Sequence, residues 1–543
     1  MLVILKKAFS HFIKQYWIAI ISGAVLSLAF PPFKFGFLAY FSLIPVFIWT
    51  QKGSLKDSFK TGYWWGFGYH TSVLFWILNS TVVGGILALL FVPLYSGCVF
   101  LILRWMNKKF GRMYFMAVPF IWTAVEYIRT LTVIGFPWVS LAHTQTYYPV
   151  FIQYADMTGV YGVTFWICTI NVLFYLISER KLSFFQEKRI KPMFRDRMLY
   201  SYSIGLLILI ILPVLYGKNI INMSDWLGDT VKVSLAQGNV DMDIKSDNEL
   251  RDPTFRLYES LTKEAAKSEP DLIVWPETAA LTYFKVSNQS KHSAWMRKIV
   301  HESNSTILTG TFDYERFMIG EDLITKYYNA AVMFENYDSE GIWYSKIKLV
   351  PFGEWFPYEN KFPFFEKWNF GQGNFLPGKE MTIFELPVKN RSSSTGDNSD
   401  EPGNVQKIKF ATAICYESVF CDFIQKFCNK GAQMLVVITN NNWFGRTSSL
   451  YQHAQISVFR AVENRIGVAH CSNSGISLLI DPYGRVTGES GVFVSEVLTG
   501  DVFYRGKDKN ITFYTKYGDV FSKTVLSLSG LFIIMGFSRR KKI

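Results

Sequence analysis

Eight apolar runs, seven of them before residue 218, constrain this chain more than any other feature. They lie at 16–33, 36–50, 61–79, 81–104, 113–129, 160–178, 200–217 and 520–538, each long enough, or nearly so, to cross the ~30 Å hydrocarbon core of a bilayer. Inside a bilayer every backbone polar group needs a partner within the protein, so runs of this length can span only as helices. The expected order is a membrane bundle of seven helices over 1–217, a large domain outside the bilayer over 218–515, and a final membrane helix with its tail over 516–543. Pro31, Pro32, Pro45 and several glycines interrupt the runs, as in helices packed on one another rather than independent anchors.

The basic residues set an orientation. Lys6, Lys7 and Lys14 precede the first run, Lys52, Lys56 and Lys60 follow the second, Arg104, Lys108, Lys109 and Arg112 follow the fourth, a cluster from Arg180 to Arg197 follows the sixth, and Arg539, Arg540, Lys541 and Lys542 follow the last. These are alternate loops, and the loops between them carry little beyond Lys34 and Arg129. Positive loops stay cytoplasmic. Both termini are therefore expected in the cytoplasm and 218–519 across the membrane, which in a bacterium is the periplasmic side of the inner membrane. The first run has the polarity of a cleavable signal peptide, but the alternation works only if it is retained. Much of the formal charge of +13 is spent on these loops, so it does not argue for nucleic acid. Glu126 is the ionisable residue inside a run that stands out; it either lines a lipid or substrate pocket or pairs with Arg129. The loop 137–148, with Trp138, His143, Tyr147 and Tyr148, has the aromatic content of an interfacial element.

From residue 231 the pattern changes to short apolar strands alternating with amphipathic helices, the signature of an α/β domain. Strands are expected at 231–236, 271–275, 306–312, 330–334, 408–414, 434–439, 468–472, 476–480 and 497–502, and helices at 254–268, 293–303, 418–428 and 449–465. The polar stretch 390–406 reads as an insertion. The six cysteines show no metal-ligand or disulfide spacing and are expected to be free thiols. Cys421 and Cys428 lie about two helical turns apart, roughly 10 Å, too far to bridge. No metal or cofactor is implied, and the seven histidines show no ligand spacing.

Three motifs carry chemistry. In LIVWPETA (272–279) a buried strand is stopped by Pro276, which fixes Glu277 at its end; in YSKIKLVPFGEWFPYE (344–359) Lys346 and Glu354 bracket an apolar turn; in ICYES (414–418) Cys415 follows a strand and precedes a helix, whose N-terminus would favour the thiolate. Read singly, Cys415 is as easily a buried core thiol, Glu277 a helix cap, and Lys346 and Glu354 surface charges. Together they supply acyl transfer: a carboxylate to take the thiol proton, a thiolate to attack a carbonyl, and an ammonium to stabilise the oxyanion.

The order WPE, then YxKxxLVPFGE, then CYE resembles the nitrilase superfamily. Adding AQGN (236–239), VWPETA (274–279), KLVPFGEWFP (348–357), TNNNWFG (439–445), QHAQISVFRAVENRI (452–466) and SNSGIS (472–477), the whole chain resembles the bacterial apolipoprotein N-acyltransferases, the membrane branch of that superfamily. The resemblance implies eight transmembrane helices plus an α/β domain folded as a four-layer αββα sandwich. It implies Glu277 as general base, Lys346 as oxyanion lysine and Cys415 as acylated nucleophile. Glu354 would support them, and Tyr416 and Glu417 would help shape the acyl pocket. Where the family usually has His, this chain has Lys348, so two lysines compete; the spacing of eight to Glu354 favours Lys346. The loop 241–248 lacks the Trp found in some members, and 390–406 has no family counterpart.

The implied reaction takes an acyl chain from a phospholipid, phosphatidylethanolamine in the family, onto Cys415. It then passes the chain to the α-amino group of a diacylglyceryl-modified apolipoprotein, with a monomeric enzyme expected. Aromatic residues Phe352, Trp355, Phe356 and Tyr358, and Phe362, Phe364, Phe365, Trp368 and Phe370, either dip into the membrane or pack the sandwich. The competing readings are a membrane-tethered amidase that hydrolyses its acyl-enzyme and a non-catalytic transporter or receptor. His292, His301, His453, Arg460, Glu463 and Arg465 read as structural, with Arg460 and Glu463 at pairing distance along a helix.

Overall fold

The computed structural model describes residues 16–187, 193, 195–223, 227–241, 251–284, 291–319, 322–337, 339–357, 375–389, 406–506 and 510–539. The loop 242–248, Tyr358, the aromatic stretch 361–370 and positions 390–405 of the insertion lie outside the described residues. The chain divides into two compact units, one formed by Met1–Met223 with Asp519–Ile543 and the other by Ser224–Gly518.

The first unit is helical among its described residues. Among the described residues four stretches are long and apolar enough to cross a membrane by length and composition: Val82–Leu131, Val160–Gln186, Arg197–Met223 and Val520–Ser538. Apolar segments Tyr16–Ala29 and Gly36–Thr50 are shorter. The 50-residue stretch Val82–Leu131 would extend about 75 Å as one straight helix, far more than a bilayer core. It is broken at Gly111, whose φ of +57° only glycine adopts at low cost.

The longer described helices of the unit include α1 (Leu55–Leu74), α2 (Pro93–Phe110), α3 (Val118–Leu131), α4 (Val160–Gln186) and α5 (Arg197–Met223), with Val520–Ser538 packed on α3. α1 approaches α2 closely because Gly62 and Gly66, one turn apart, leave room: a Cβ on Gly66 would lie 2.6 Å from the Ser96 Cβ, and one on Gly62 2.6 Å from the Phe100 Cβ. Asn171 of α4 ties down the broken N-terminal segments, accepting from Leu43 N at 2.8 Å and donating to the Ala39 carbonyl at 2.7 Å. Glu126 is buried on α3. Its carboxylate accepts from Trp122 Nε1 (3.1 Å), Ser140 Oγ (2.5 Å), Leu141 N (3.1 Å) and Thr164 Oγ1 (2.8 Å). It is thus a hub joining α3, the 140–145 turn and α4, bonded to these groups rather than to Arg129.

Among its described residues the second unit holds two six-stranded sheets. The strands are β1 (Thr230–Gln237), β2 (Leu272–Val274), β3 (Thr306–Ile319), β4 (Asp322–Phe334), β5 (Ile342–Ser345), β6 (Ile383–Pro387), β7 (Lys407–Ile414), β8 (Met434–Thr439), β9 (Gly467–Ser472), β10 (Leu478–Ile480), β11 (Val486–Glu489) and β12 (Glu496–Phe503). One sheet runs β12-β1-β2-β3-β4-β5 and the other β11-β10-β9-β8-β7-β6. The central strands β1, β2 and β3 are parallel, as are β7, β8 and β9. β2 (LIV) and β8 (MLVVIT), buried along their whole length, read as near-continuous apolar runs because both faces are covered. Helices α6 (Arg251–Ala266) and α7 (Lys291–Ser303) cover the first sheet, and α8 (Cys421–Asn429) and α9 (Ser449–Asn464) the second. The inner faces meet around β1, β9 and β12, where Gln237 of β1 accepts from Ser477 Oγ (2.7 Å) and Ser490 Oγ (2.8 Å). This is the helix–sheet–sheet–helix layering expected of a nitrilase-like domain.

β3 and β4 run well beyond the expected 306–312 and 330–334, forming a long hairpin with antiparallel pairing from Ile307↔Phe334 to Ile319↔Asp322. β5, β6 and β11, which sequence pattern does not reveal, are the short edge strands. All six cysteines are free. On α9, Arg460 and Glu463 pair at 3.0 Å with both side chains fully buried. Breaking such a pair strands a charge in the interior, so Glu463→Ala is expected to lower stability by about 3–5 kcal/mol, read as a large drop in the unfolding temperature of the detergent-solubilised chain. An unchanged transition would show that the pair contributes nothing.

Candidate active site

Four strand ends converge. β2 ends at Val274, β5 at Ser345, β7 at Ile414 and β8 at Thr439, and within three residues of these ends come Glu277, Lys346, Cys415 and Asn440. The carboxyl ends of parallel strands are where side chains can gather without disturbing the sheet.

Glu277 is held by the WPET turn. The turn reverses at Thr278, whose φ is +53°, and packs on Gly310, where an added Cβ would lie 2.6 Å from the Glu277 Cα. Only a residue without a side chain allows that approach. The Glu277 carboxylate accepts from Asn329 Nδ2 at 2.8 Å and from the Asn440 backbone N–H at 2.8 Å, and lies 3.5 Å from Lys346 Nζ. Lys346 is 1% exposed and donates to Glu354 Oε1 at 2.7 Å. Glu354 reaches it because the PFGE turn closes on itself: Glu354 N bonds the Val350 carbonyl (2.9 Å), and Val350 N returns a bond to Glu354 Oε2 (2.8 Å). Lys348 points elsewhere, its ammonium 5.2 Å from the centre of the Phe420 ring. Of the two candidate lysines, only Lys346 joins the carboxylates.

Cys415 follows β7 with φ +51°, a left-handed conformation that costs a non-glycine residue energy and turns its side chain out of the strand direction. The chain then makes a 3-10 turn over Cys415–Val419, and α8 begins only at Cys421. This corrects the expectation of a helix starting at 418 with its N-terminus beside the thiol. The reason is Glu417, whose side chain takes the Ile414 N–H at 2.8 Å and braces the turn. Glu417 is fully buried, and its other oxygen accepts from Tyr344 Oη (2.7 Å), Ile347 N (2.7 Å) and Lys348 N (3.0 Å). It ties the nucleophile turn to the lysine segment. Burial pushes its carboxyl up to about 6 despite these bonds. Tyr416 is buried edge-to-face on Phe420.

The expected thiolate is overturned as well. The Cys415 thiol is pushed up to about 12, first by burial and then by the Glu277 charge; Lys346 and a hydrogen bond from Thr439 oppose this but do not prevail. Cys415 is partly accessible, yet the groups packed around its sulfur keep water from solvating an anion. At neutral pH the resting group is a neutral thiol beside a carboxylate that can take its proton. For Lys346, burial works against the charge, but Glu354 and Glu277 outweigh it and raise the ammonium above its ordinary value. The lysine is therefore a fixed cation.

Asn329 is the residue sequence reading missed. From β4 its amide bridges Glu277 (2.8 Å) and Glu354 (3.3 Å). The only signal was a polar residue beginning the apolar run NAAVMF, which has no meaning until β4 lies beside the lysine segment. Phe352 of the PFGE turn is 41% exposed with φ +62°, and stacks edge-to-face with Phe356 at 5.8 Å. Among the described residues no group of three or more His, Cys, Asp or Glu side chains could hold a metal ion.

A family model described as "Apolipoprotein N-acyltransferase N-terminal domain" matches residues 22–173, and one described as "Carbon-nitrogen hydrolase" matches 232–503. An apolipoprotein N-acyltransferase from Geobacter metallireducens is 31% identical, covering 98% of this chain and 96% of its own. One from Chlorobaculum tepidum is 29% identical, covering 97% of each. Among solved structures, an amidase from Nesterenkonia sp. covers 52% of this chain and 94% of its own at 18% identity, with a TM-score of 0.34.

The Glu277 charge raises the thiol, so removing it has two opposite effects. Glu277→Gln is expected to slow enzymatic acylation of Cys415 by about 10²- to 10⁴-fold through loss of the base. The same change lowers the thiol's own pKa, so direct alkylation by iodoacetamide at pH 9–10 is expected to be faster than in the wild type. Slower alkylation throughout that range would contradict the arrangement.

Proposed function

This chain belongs to the apolipoprotein N-acyltransferase family, and from that membership we propose that Glu277, Lys346 and Cys415 carry the acyl transfer by which the family matures lipoproteins. The observation that supports this reading is the buried Lys346 held between Glu277 and Glu354 beside the Cys415 thiol. In the first half-reaction Glu277 takes the thiol proton as the sulfur attacks a phospholipid ester carbonyl. The Lys346 ammonium balances the oxyanion, and the intermediate collapses to a thioester as the glyceryl oxygen leaves with the proton from Glu277. In the second, the α-amino group of a diacylglyceryl-cysteine attacks the thioester and loses its proton to Glu277. The amide forms and the thiol is restored. Glu354 and Asn329 hold the lysine and base in register, and Glu417 with Tyr416 fixes the nucleophile turn and the wall behind it.

The donor in this reading is phosphatidylethanolamine, and the working unit is a monomer in a bacterial inner membrane. The bundle over 1–217 and the helix in 516–543 make eight spans, both termini are cytoplasmic, and the catalytic domain over 218–515 is periplasmic. The sorting of Lys and Arg into alternate loops supports that orientation. A membrane-borne site also fits the substrate, because withdrawing an acyl chain from a bilayer costs about 0.8 kcal/mol per CH₂. Exposed Phe352 beside Glu354 supports an apolar approach to the site.

In a conditional acyltransferase-deficient strain, the wild-type chain is expected to restore growth and N-acylated lipoprotein N-termini by mass spectrometry, and Cys415→Ser to restore neither. Full N-acylation by Cys415→Ser would overturn the assignment of the nucleophile. Free fatty acid as the main product of the wild type would favour hydrolysis instead.

A further inference from the structure

The reaction just described leaves one buried titratable group beside the nucleophile without a role. His453, on α9, is 1% exposed. Its Nε2 lies 3.1 Å from the carbonyl oxygen of Cys415 and 3.0 Å from Ser418 Oγ, while Ser418 Oγ itself donates to that carbonyl at 2.8 Å. Its Nδ1 lies 3.0 Å from the side-chain oxygen of Asn441 and 3.4 Å from Thr439 Oγ1. Both ring nitrogens therefore face carbonyl oxygens, and a neutral imidazole has only one proton to give. Burial, the largest influence on this ring, holds it neutral, pushed down to about 4.

Asn441 resolves the conflict. Its Nδ2 is buried without a hydrogen-bond partner among the described residues, while its Oδ1 faces both His453 and Thr439 Oγ1 (2.9 Å). The two ends of an amide have the same shape, so their assignment follows from the bonding network. Turning it over brings the NH₂ to both neighbours as donor. It also moves the unpartnered position from an N–H to a carbonyl, the less costly group to leave short. His453 Nδ1 then accepts, Nε2 carries the proton and donates to the Cys415 carbonyl, and the Thr439 hydroxyl is released to donate to the sulfur it already contacts.

We propose that His453 is a positioning residue for acyl transfer. With Ser418 it clamps the carbonyl of Cys415, fixing the left-handed turn that presents the sulfur, and through Asn441 it leaves Thr439 free to donate to the developing thiolate. The clamp answers a specific need: the strained φ of +51° at Cys415 persists only where surrounding bonds hold it. The inference rests on the reading of Cys415 as nucleophile.

The test is single-turnover acylation of Cys415 by labelled phosphatidylethanolamine, with iodoacetamide alkylation of the same thiol, in the full-length chain in detergent. His453→Leu keeps the volume and removes the donor. It is expected to slow acylation roughly 10- to 100-fold, the kinetic equivalent of one buried hydrogen bond, with the donor KM within about twofold of wild type. His453→Gln, whose amide can donate from near the Nε2 position, is expected to recover to within about fivefold. Thr439→Val is expected to slow alkylation at fixed pH about tenfold, a thiol pKa one unit higher, and Thr439→Ser to restore it. If His453→Leu does not fold, Ser418→Ala, which removes the other donor to the carbonyl, carries the test with an expected loss of about fivefold or more. Wild-type rates in His453→Leu or in Ser418→Ala, or equal losses in His453→Leu and His453→Gln, would overturn the proposal. Acylation that survives Cys415→Ala would instead remove the reading on which it rests.

Discussion

A lysine ammonium sealed between two glutamates is the interaction on which the catalytic unit depends. Lys346 is almost wholly buried, and a charge there is tolerable only because Glu354 at 2.7 Å and Glu277 at 3.5 Å accompany it. Three charged groups in a dry interior leave the site one negative charge in excess. That excess falls on the neighbouring thiol, which stays protonated until Glu277 is ready to receive its proton. The same dryness that suppresses the thiolate lets a fixed cation act strongly on an oxyanion, because little water screens it.

The fold serves this cluster by construction. Each reactive group follows the end of a strand, and each turn is pinned by something that cannot easily be exchanged. Gly310 makes room for the Glu277 turn, the closed PFGE turn aims Glu354, and the Glu417 carboxylate joins the Cys415 turn to the lysine segment. Of the eight described non-glycine residues with positive φ, three, Thr278, Phe352 and Cys415, lie in the turns that build the site, where strain held by surrounding bonds is often found. The helical unit has a buried carboxylate of its own, Glu126, satisfied by four donors and serving as a structural hub.

Much of this was legible in the sequence for physical reasons. Apolar runs report burial directly, so the central strands β1, β2, β7, β8 and β9 were found with ends close to their true positions. Pro276 and the PFGE turn announced where Glu277 and Glu354 must stop. What escaped depends on partners distant in the chain. β11, reading VTGE, is a mostly exposed edge whose only signal is its pairing with β10. Asn329 matters only because β4 lies beside β5. The start of α8 was misplaced because a side chain, not a helical N–H array, receives the Ile414 amide. The charge state of Cys415 was misjudged for a related reason: the local turn suggested an anion, whereas groups from β2, β5 and β8 decide the matter.

The central claim is that a neutral Cys415 thiol, activated by Glu277, holds the acyl chain between two substrates. The most direct measurement is peptide mass spectrometry of the intact membrane-embedded chain after incubation with acyl-labelled phosphatidylethanolamine and no acceptor. The account predicts one hydroxylamine-sensitive acyl mass on the peptide carrying Cys415, discharged when a diacylglyceryl peptide with a free amine is added. Label on any other residue, or a Cys415 adduct that the amine cannot discharge, would contradict it.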